Sequence, residues 1–203
     1  MIVIDPANQT DRENYKLLIG SIVPRPIALV TSLSKDGVLN AAPFSYFSIV
    51  ASQPPMISIS VQRKQGVMKD TARNANDAGA FVVHIVDESN VRAANQAAAS
   101  LPPNVSELES AGLTPVASDA ITVPGIMEAK IRMECVLERS ISLGGNEKEA
   151  ACDLLIGRVV RFHFADEIFD KGHILADKLN PVSRMAGNHY AALGEQFSLD
   201  RPL

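Results

Sequence analysis

The chain has 203 residues, 46% of them hydrophobic and 21% charged, with a formal net charge of −4. That is the profile of an ordinary globular chain with room for one substantial core, and a single domain over residues 1–203 is expected. The acidic balance argues against wholesale binding to nucleic acid or to an anionic membrane, both of which select a basic footprint.

The first residues, MIVIDPANQTDREN, break their apolar run at Asp5 and Pro6 and do not read as a signal peptide. No apolar run approaches the about 20 residues needed to span a bilayer, so a cytoplasmic protein is expected. Cys135 and Cys152 form no C-x-x-C pair and are expected as free thiols.

In chain order, residues 1–24 form a lead-in of short helical or extended pieces, and Pro24 and Pro26 disfavour a helix around Arg25. Residues 27–34, IALVTSLS, are β-branched and apolar, which predicts a strand. Asp36-Gly37 is a hairpin signal, since Gly accepts the positive φ of a tight turn. The return strand over 38–42 is expected to stop at Pro43, which has no N–H to donate. Residues 44–51 read as extended, and 56–61, MISISV, alternate with Ile57, Ile59 and Val61 on one face. A polar loop with Arg63 and Lys64 leads into a short helix over 67–76.

Residues 79–86 read as a buried strand, and 89–100 as a helix capped by Ser89 or Asn90. A further short helix over 105–110 starts near Asn104 and stops at Gly112. Over 129–137, Ala129, Ile131, Met133, Cys135 and Leu137 alternate with Glu128, Lys130, Arg132 and Glu134, the pattern of a strand with one wet face. Residues 154–164 are its expected antiparallel partner beyond the Gly144-Gly145 loop. Many short strands with inserted helices predict an antiparallel β-barrel with peripheral helices, not a parallel α/β sheet.

Several motifs are missing. There is no G-x-G-x-x-G, no P-loop, no H-E-x-x-H and no G-x-S-x-G. His84, His163, His173 and His189 are scattered without ligand spacing, so no metal site is expected, and His84 reads as a hydrogen-bonded core residue. Hydrolase, metalloenzyme and triphosphatase readings start low. The stretch 25–76 instead reads as a holder for a phosphorylated, flat, polar-edged ligand. Arg63 and Lys64 bring charge from a loop, and Lys69 and Thr71 sit near a helix start that favours an anion. Asn40, Ser45, Ser48, Ser58 and Ser60 offer small polar groups for a ring edge, and Thr31 offers a hydroxyl from the first strand.

The pieces RPIALVTSLSKDGVLNAAPFSYFSIVASQPP, MISISVQRKQGVMKDTARNAN and GAFVVHIV resemble, in that order, the flavin reductase-like family with the FMN-binding split-barrel fold. The likeness continues through GLTPVAS, VPGIMEAKIRMECVLER, LLIGRVVRFHF and PVSRMAGNHY, about residues 15 to 200. It implies a mainly β chain with peripheral helices, a six-stranded antiparallel split barrel, and a homodimer with FMN at the subunit boundary. Carried over residue by residue, it puts the phosphate on Arg63, Lys69, Thr71 and Asn74. It sets the ring against Asn40, Ala41, Ser45, Tyr46 and Phe47, to which Ser58 and Ser60 are added from their own chemistry as small polar groups. From its own place in the first strand, Thr31 is expected either within reach of the ribityl chain or as a threonine that serves the strand alone. The tail residues Arg184, Gly187 and His189 fold over the flavin or the opposite subunit.

The chemistry implied is hydride transfer from NAD(P)H to flavin, which needs stacked rings and no protein acid or base, so no catalytic residue is expected. A flavin-dependent monooxygenase or another electron-transfer protein is the implied partner. Three uses stay open: an NAD(P)H-dependent flavin reductase, an FMN electron carrier fed by another protein, and a non-enzymatic flavin-binding barrel.

Overall fold

The structure is a computed structural model that describes residues 1–145 and 149–202. Helix α1, Asp11–Ser21, opens on a capping box in which Thr10 accepts from the Glu13 N–H and Glu13 reaches back to the Thr10 N–H. Seven strands then build the main sheet: β1 Ala28–Leu33, β2 Leu39–Phe44, β3 Phe47–Ser52, β4 Pro55–Gln62, β5 Ala80–Ile85, β6 Ile131–Leu143 and β7 Cys152–Phe164. Every pairing is antiparallel, in the order β2-β1-β5-β6-β7-β4-β3.

The two edge strands of that ladder, β2 and β3, are consecutive in the chain, separated by Ser45 and Tyr46 alone. The sheet therefore curls until its edges meet at one corner. There the Ser60 N–H donates to the Tyr46 carbonyl at 2.8 Å, but no β2–β3 ladder forms. This is an antiparallel barrel left open along one seam. The ladder has one strand more than the expected six: the Pro54 turn folds 47–52 back on β4 as a short edge strand.

The inward faces make the core. Ala28, Val30, Phe44, Ile57, Ile59, Val61, Phe81, Val83, Ile131, Met133, Cys135 and Leu155 are all buried, which follows the alternation expected for 56–61 and 129–137. Helix α2, Asp70–Ala78, adds Ala72 and Ala75 to this cluster. A second apolar layer outside the barrel packs Ile27, Leu29 and Ala41 against helix α3, Val91–Gln96, and helix α4, Glu107–Ala111.

Several boundaries move for local reasons. β2 runs through Pro43, because Pro43 lies on an edge strand where its missing donor faces no ladder partner. Helix α2 starts at Asp70 rather than 67, since Val67 pairs with Lys64 in a small bridge and Lys69 is the extended N-cap. Helix α3 is short; Asn90 is its N-cap, as expected, but makes no side-chain capping bond, and buried Asp87 accepts instead from the N–H groups of Ser89 and Asn90. Helix α4 takes Ser106, not Asn104, as its N-cap. Glu134, expected on the wet face, is 1% exposed, because residues 118–120 fold over it. β6 and β7 pair as expected, and part of the loop joining them, residues 146–148, lies outside the described residues. Cys135 is buried and Cys152 half-buried, both as free thiols.

Candidate functional site

Two cavities open beside the seam. The first, of about 370 Å³, lies between α1, the β2–β3 corner and the tail segment 183–191. The second, of about 490 Å³, lies between β2, the start of α2, and the stretch from α3 to α4. They share Pro43, Phe44, Lys69 and Ala98 as a common wall, so they form one bent trough.

The first cavity is edged by polar groups on fixed backbone. Ser45 and Tyr46 make the corner between the edge strands, and Ser60 and Gln62 come from β4. Burial, with Tyr15 nearby, pushes the Tyr46 phenol above its ordinary pKa, so it stays a neutral donor. The tail closes the other side. The short strand Ser183–Arg184 pairs with both Arg25–Pro26 and Tyr190–Ala191. Arg184 donates to the Tyr190 hydroxyl and to the Gly187 carbonyl, and the Tyr190 hydroxyl donates to Asn95 Oδ1 on α3 at 2.9 Å.

The second cavity has a cationic mouth. Lys64, Lys69 and Arg73 line it beside the N-terminus of α2. Arg73 is paired with Asp70, while Lys64 and Lys69 make no ion pair among the described residues. The floor holds a buried polar network. The Asn40 amide donates to both Glu107 oxygens at 3.0 and 2.9 Å, and the Ala41 N–H adds a third bond at 3.1 Å. Thr71 then donates to Asn40 Oδ1 at 3.0 Å, and Asn74 to Ser32 at 3.3 Å.

The trough brings together Asn40, Ser45, Tyr46, Ser60, Lys69, Thr71, Arg184 and Gly187 of the residues expected from sequence. Others line neither cavity. Thr31 is fully buried and donates to the Pro124 carbonyl at 2.7 Å. Ala41 is buried in the outer apolar layer, and Phe47 packs against the barrel core. Ser58 sits mid-strand between Ser48 and Ile156. Arg63 makes a bidentate pair with fully buried Asp153 at 2.7 and 2.9 Å, which raises its pKa further and turns it away from a ligand. Asn74 is buried behind Thr71, and His189 is exposed in the tail turn. Sequence reasoning missed Tyr15, Arg25, Glu107 and Tyr190. Only Tyr190 and Arg25 lay within quoted motifs; nothing in the local sequence marks Glu107 as a buried carboxylate.

Residues 19–180 match the model of the flavin reductase like domain. The chain belongs to the flavin reductase-like family. Among solved structures, nitrilotriacetate monooxygenase component B from Bacillus cereus is 64% identical, with 98% of each chain covered and a TM-score of 0.97. The 2-nitrobenzoate 2-nitroreductase of Pseudomonas fluorescens is 32% identical over 99% of this chain and 96% of that one, TM-score 0.89. A split-barrel-domain protein from Shewanella frigidimarina shares 18% identity over 97% and 96% of the two chains with a TM-score of 0.83, a likeness of fold. The open-seamed barrel is therefore the split barrel of the flavin reductases. Among the described residues no helix is long and apolar enough to cross a membrane.

Proposed function

We propose that the protein binds FMN along the trough and passes hydride equivalents from NAD(P)H to flavin. One observation carries this reading. A cavity with a cationic mouth and a helix N-terminus is joined, through Lys69, to a cavity with polar edges and an apolar wall at Pro43 and Phe44. The first suits a phosphate, the second a flat heteroaromatic ring. Lys64 and Lys69, which make no ion pair among the described residues, would hold the phosphate with the Thr71 N–H. Ser45, Tyr46 and Ser60 would edge the ring, and the Arg184–Tyr190 flap would cover it.

When bound, FMN supplies the two-electron chemistry itself. The chain's part would be to offer Pro43 and Phe44 as the apolar wall of the ring's cavity and to limit water with the tail. Without a Rossmann unit, a nicotinamide rests mainly on the ring, and weak binding of NAD(P)H to flavin-free protein follows. The likeness to component B of a nitrilotriacetate monooxygenase supports a partner of the flavin-dependent monooxygenase class. We place the protein as a homodimer in this role.

The test is an absorbance spectrum of protein mixed with FMN, followed by anaerobic NADH or NADPH. A red-shifted flavin band that bleaches with either nucleotide is expected. Binding of FMN without bleaching would leave an electron carrier fed by another protein. No spectral change on adding FMN would overturn the reading.

A further inference from the structure

The ring end of the trough carries positive charge that its own lining does not answer. Arg25, Lys69 and Arg184 all line the first cavity, and no Asp or Glu does. Burial keeps the Tyr46 phenol protonated, so it supplies no anion either. Arg25 and Arg184 also sit directly opposite each other in the antiparallel bridge that closes the cavity. Like charges set opposite across a strand pair destabilise it.

Arg25 is the more telling of the two, at 6% exposed. Its guanidinium donates to the carbonyls of Ile19 at 2.8 Å, Ile22 at 2.5 Å and Met185 at 3.0 Å. Its Nε has no partner, and among the described residues it makes no ion pair. Holding the end of α1 explains the carbonyls. It does not explain a charge buried without a carboxylate when buried arginines are ordinarily paired. The Nε is itself buried, so an anion in the cavity would answer the charge through space rather than by a new bond to it.

We propose that Arg25 is a fixed charge beneath the ring site, and that the cavity holds reduced flavin more tightly than oxidised flavin. This rests on the flavin reading above. The oxidised ring is neutral. Two electrons and one proton leave it with one negative charge, near N1 and O2, and a preorganised cation in a part-buried site favours that state.

The experiment titrates wild type, Arg25→Lys and Arg25→Met with FMN and with riboflavin. Each flavin is used oxidised and, under anaerobic conditions, reduced with dithionite. In wild type the reduced form of both flavins is expected to bind at least about tenfold tighter than the oxidised form. Arg25→Met should remove most of that ratio while changing oxidised affinity little, and Arg25→Lys should keep it. Equal affinity of wild type for the two redox states overturns the proposal, and this measurement decides even if Arg25→Met does not fold. So does an Arg25→Met loss that falls equally on both states, or one seen with FMN and absent with riboflavin, which would assign Arg25 to the phosphate. If neither flavin binds in either state, the flavin reading itself has failed. That is separable from binding without redox preference.

Discussion

Lys69 belongs to both cavities and carries an ammonium with no acidic partner among the described residues. It stands at the N-cap of α2, where its own side chain makes no capping bond. A phosphate there meets a point charge and the positive end of a helix together. Lys69→Met should therefore weaken FMN by about tenfold and leave riboflavin nearly unchanged, as read by quenching of flavin fluorescence. Equal losses for both flavins would remove Lys69 from the phosphate. His84 shows a different residue-scale device. Its Nδ1 lies 2.8 Å from the Leu29 carbonyl and its Nε2 accepts from the Ile126 N–H at 3.0 Å, which fixes one neutral tautomer. Burial lowers its pKa to about 4. The unfolded chain takes a proton there below about pH 6.5, and the folded protein does not until about pH 4. Stability at this site is thus full at neutral pH and falls as pH drops through that window, by on the order of 3 kcal/mol at the acid end. His84→Gln can keep both hydrogen bonds without titrating, so its melting temperature should vary less between pH 7 and pH 4 than that of wild type. Parallel curves would refute the assignment.

At the scale of elements, the barrel depends on β7 passing close to its neighbours. A Cβ built on Gly157 would lie 2.5 Å from Phe81 Cζ and 3.1 Å from Cys135 Cβ. Phe81 is fully buried, so its ring has nowhere to move. Gly157→Ala should cost about 2 kcal/mol and lower the melting temperature by roughly 6 °C; an unchanged melting curve would show that the ring can yield. This glycine is also where β7 shifts register against β6. The strands themselves were legible from alternation, because a face that must be buried repeats every second residue. Glu134 was not. Burial works to raise its pKa, but the Asp119 N–H, His163 and the Ala120 N–H together hold it below the carboxylate range. Alternation sees the strand and not the loop that folds over it. Arg63 and Asn74 line neither cavity for the same kind of reason. A motif fixes their place in the chain, while Asp153 and Ser32, their partners, lie 90 and 42 residues away. The cavity-lining set Ser45, Tyr46 and Lys69 was readable because those residues sit at a corner and a helix cap, positions that local sequence determines.

The whole molecule exposes 12650 Å², against about 9,300 Å² for a compact monomer of 21.8 kDa. The excess is of the size that large subunit interfaces cover. Its apolar part is conspicuous at the two termini and along edge strand β3. Ile2 and Val3 are 88% and 90% exposed, Phe197 and Leu199 82% and 83%, and Ile49 80%. Side chains of this type are rarely left in water in such number by a chain that works alone. α1, whose Tyr15 and Ile19 line the first cavity, adds exposed Leu17 and Leu18, and exposed Ile22 follows at its C-cap. A second copy covering these faces would bury apolar surface and close the trough from outside, which links assembly to flavin retention. Sedimentation should give a mass near twice 21.8 kDa. Removing residues 193–203 should shift the chain toward monomer and weaken FMN in step. If the shortened chain stayed dimeric and bound FMN unchanged, the tail would have no part in the interface. If the full chain sedimented as a monomer at micromolar concentration, the exposed apolar faces would need another occupant.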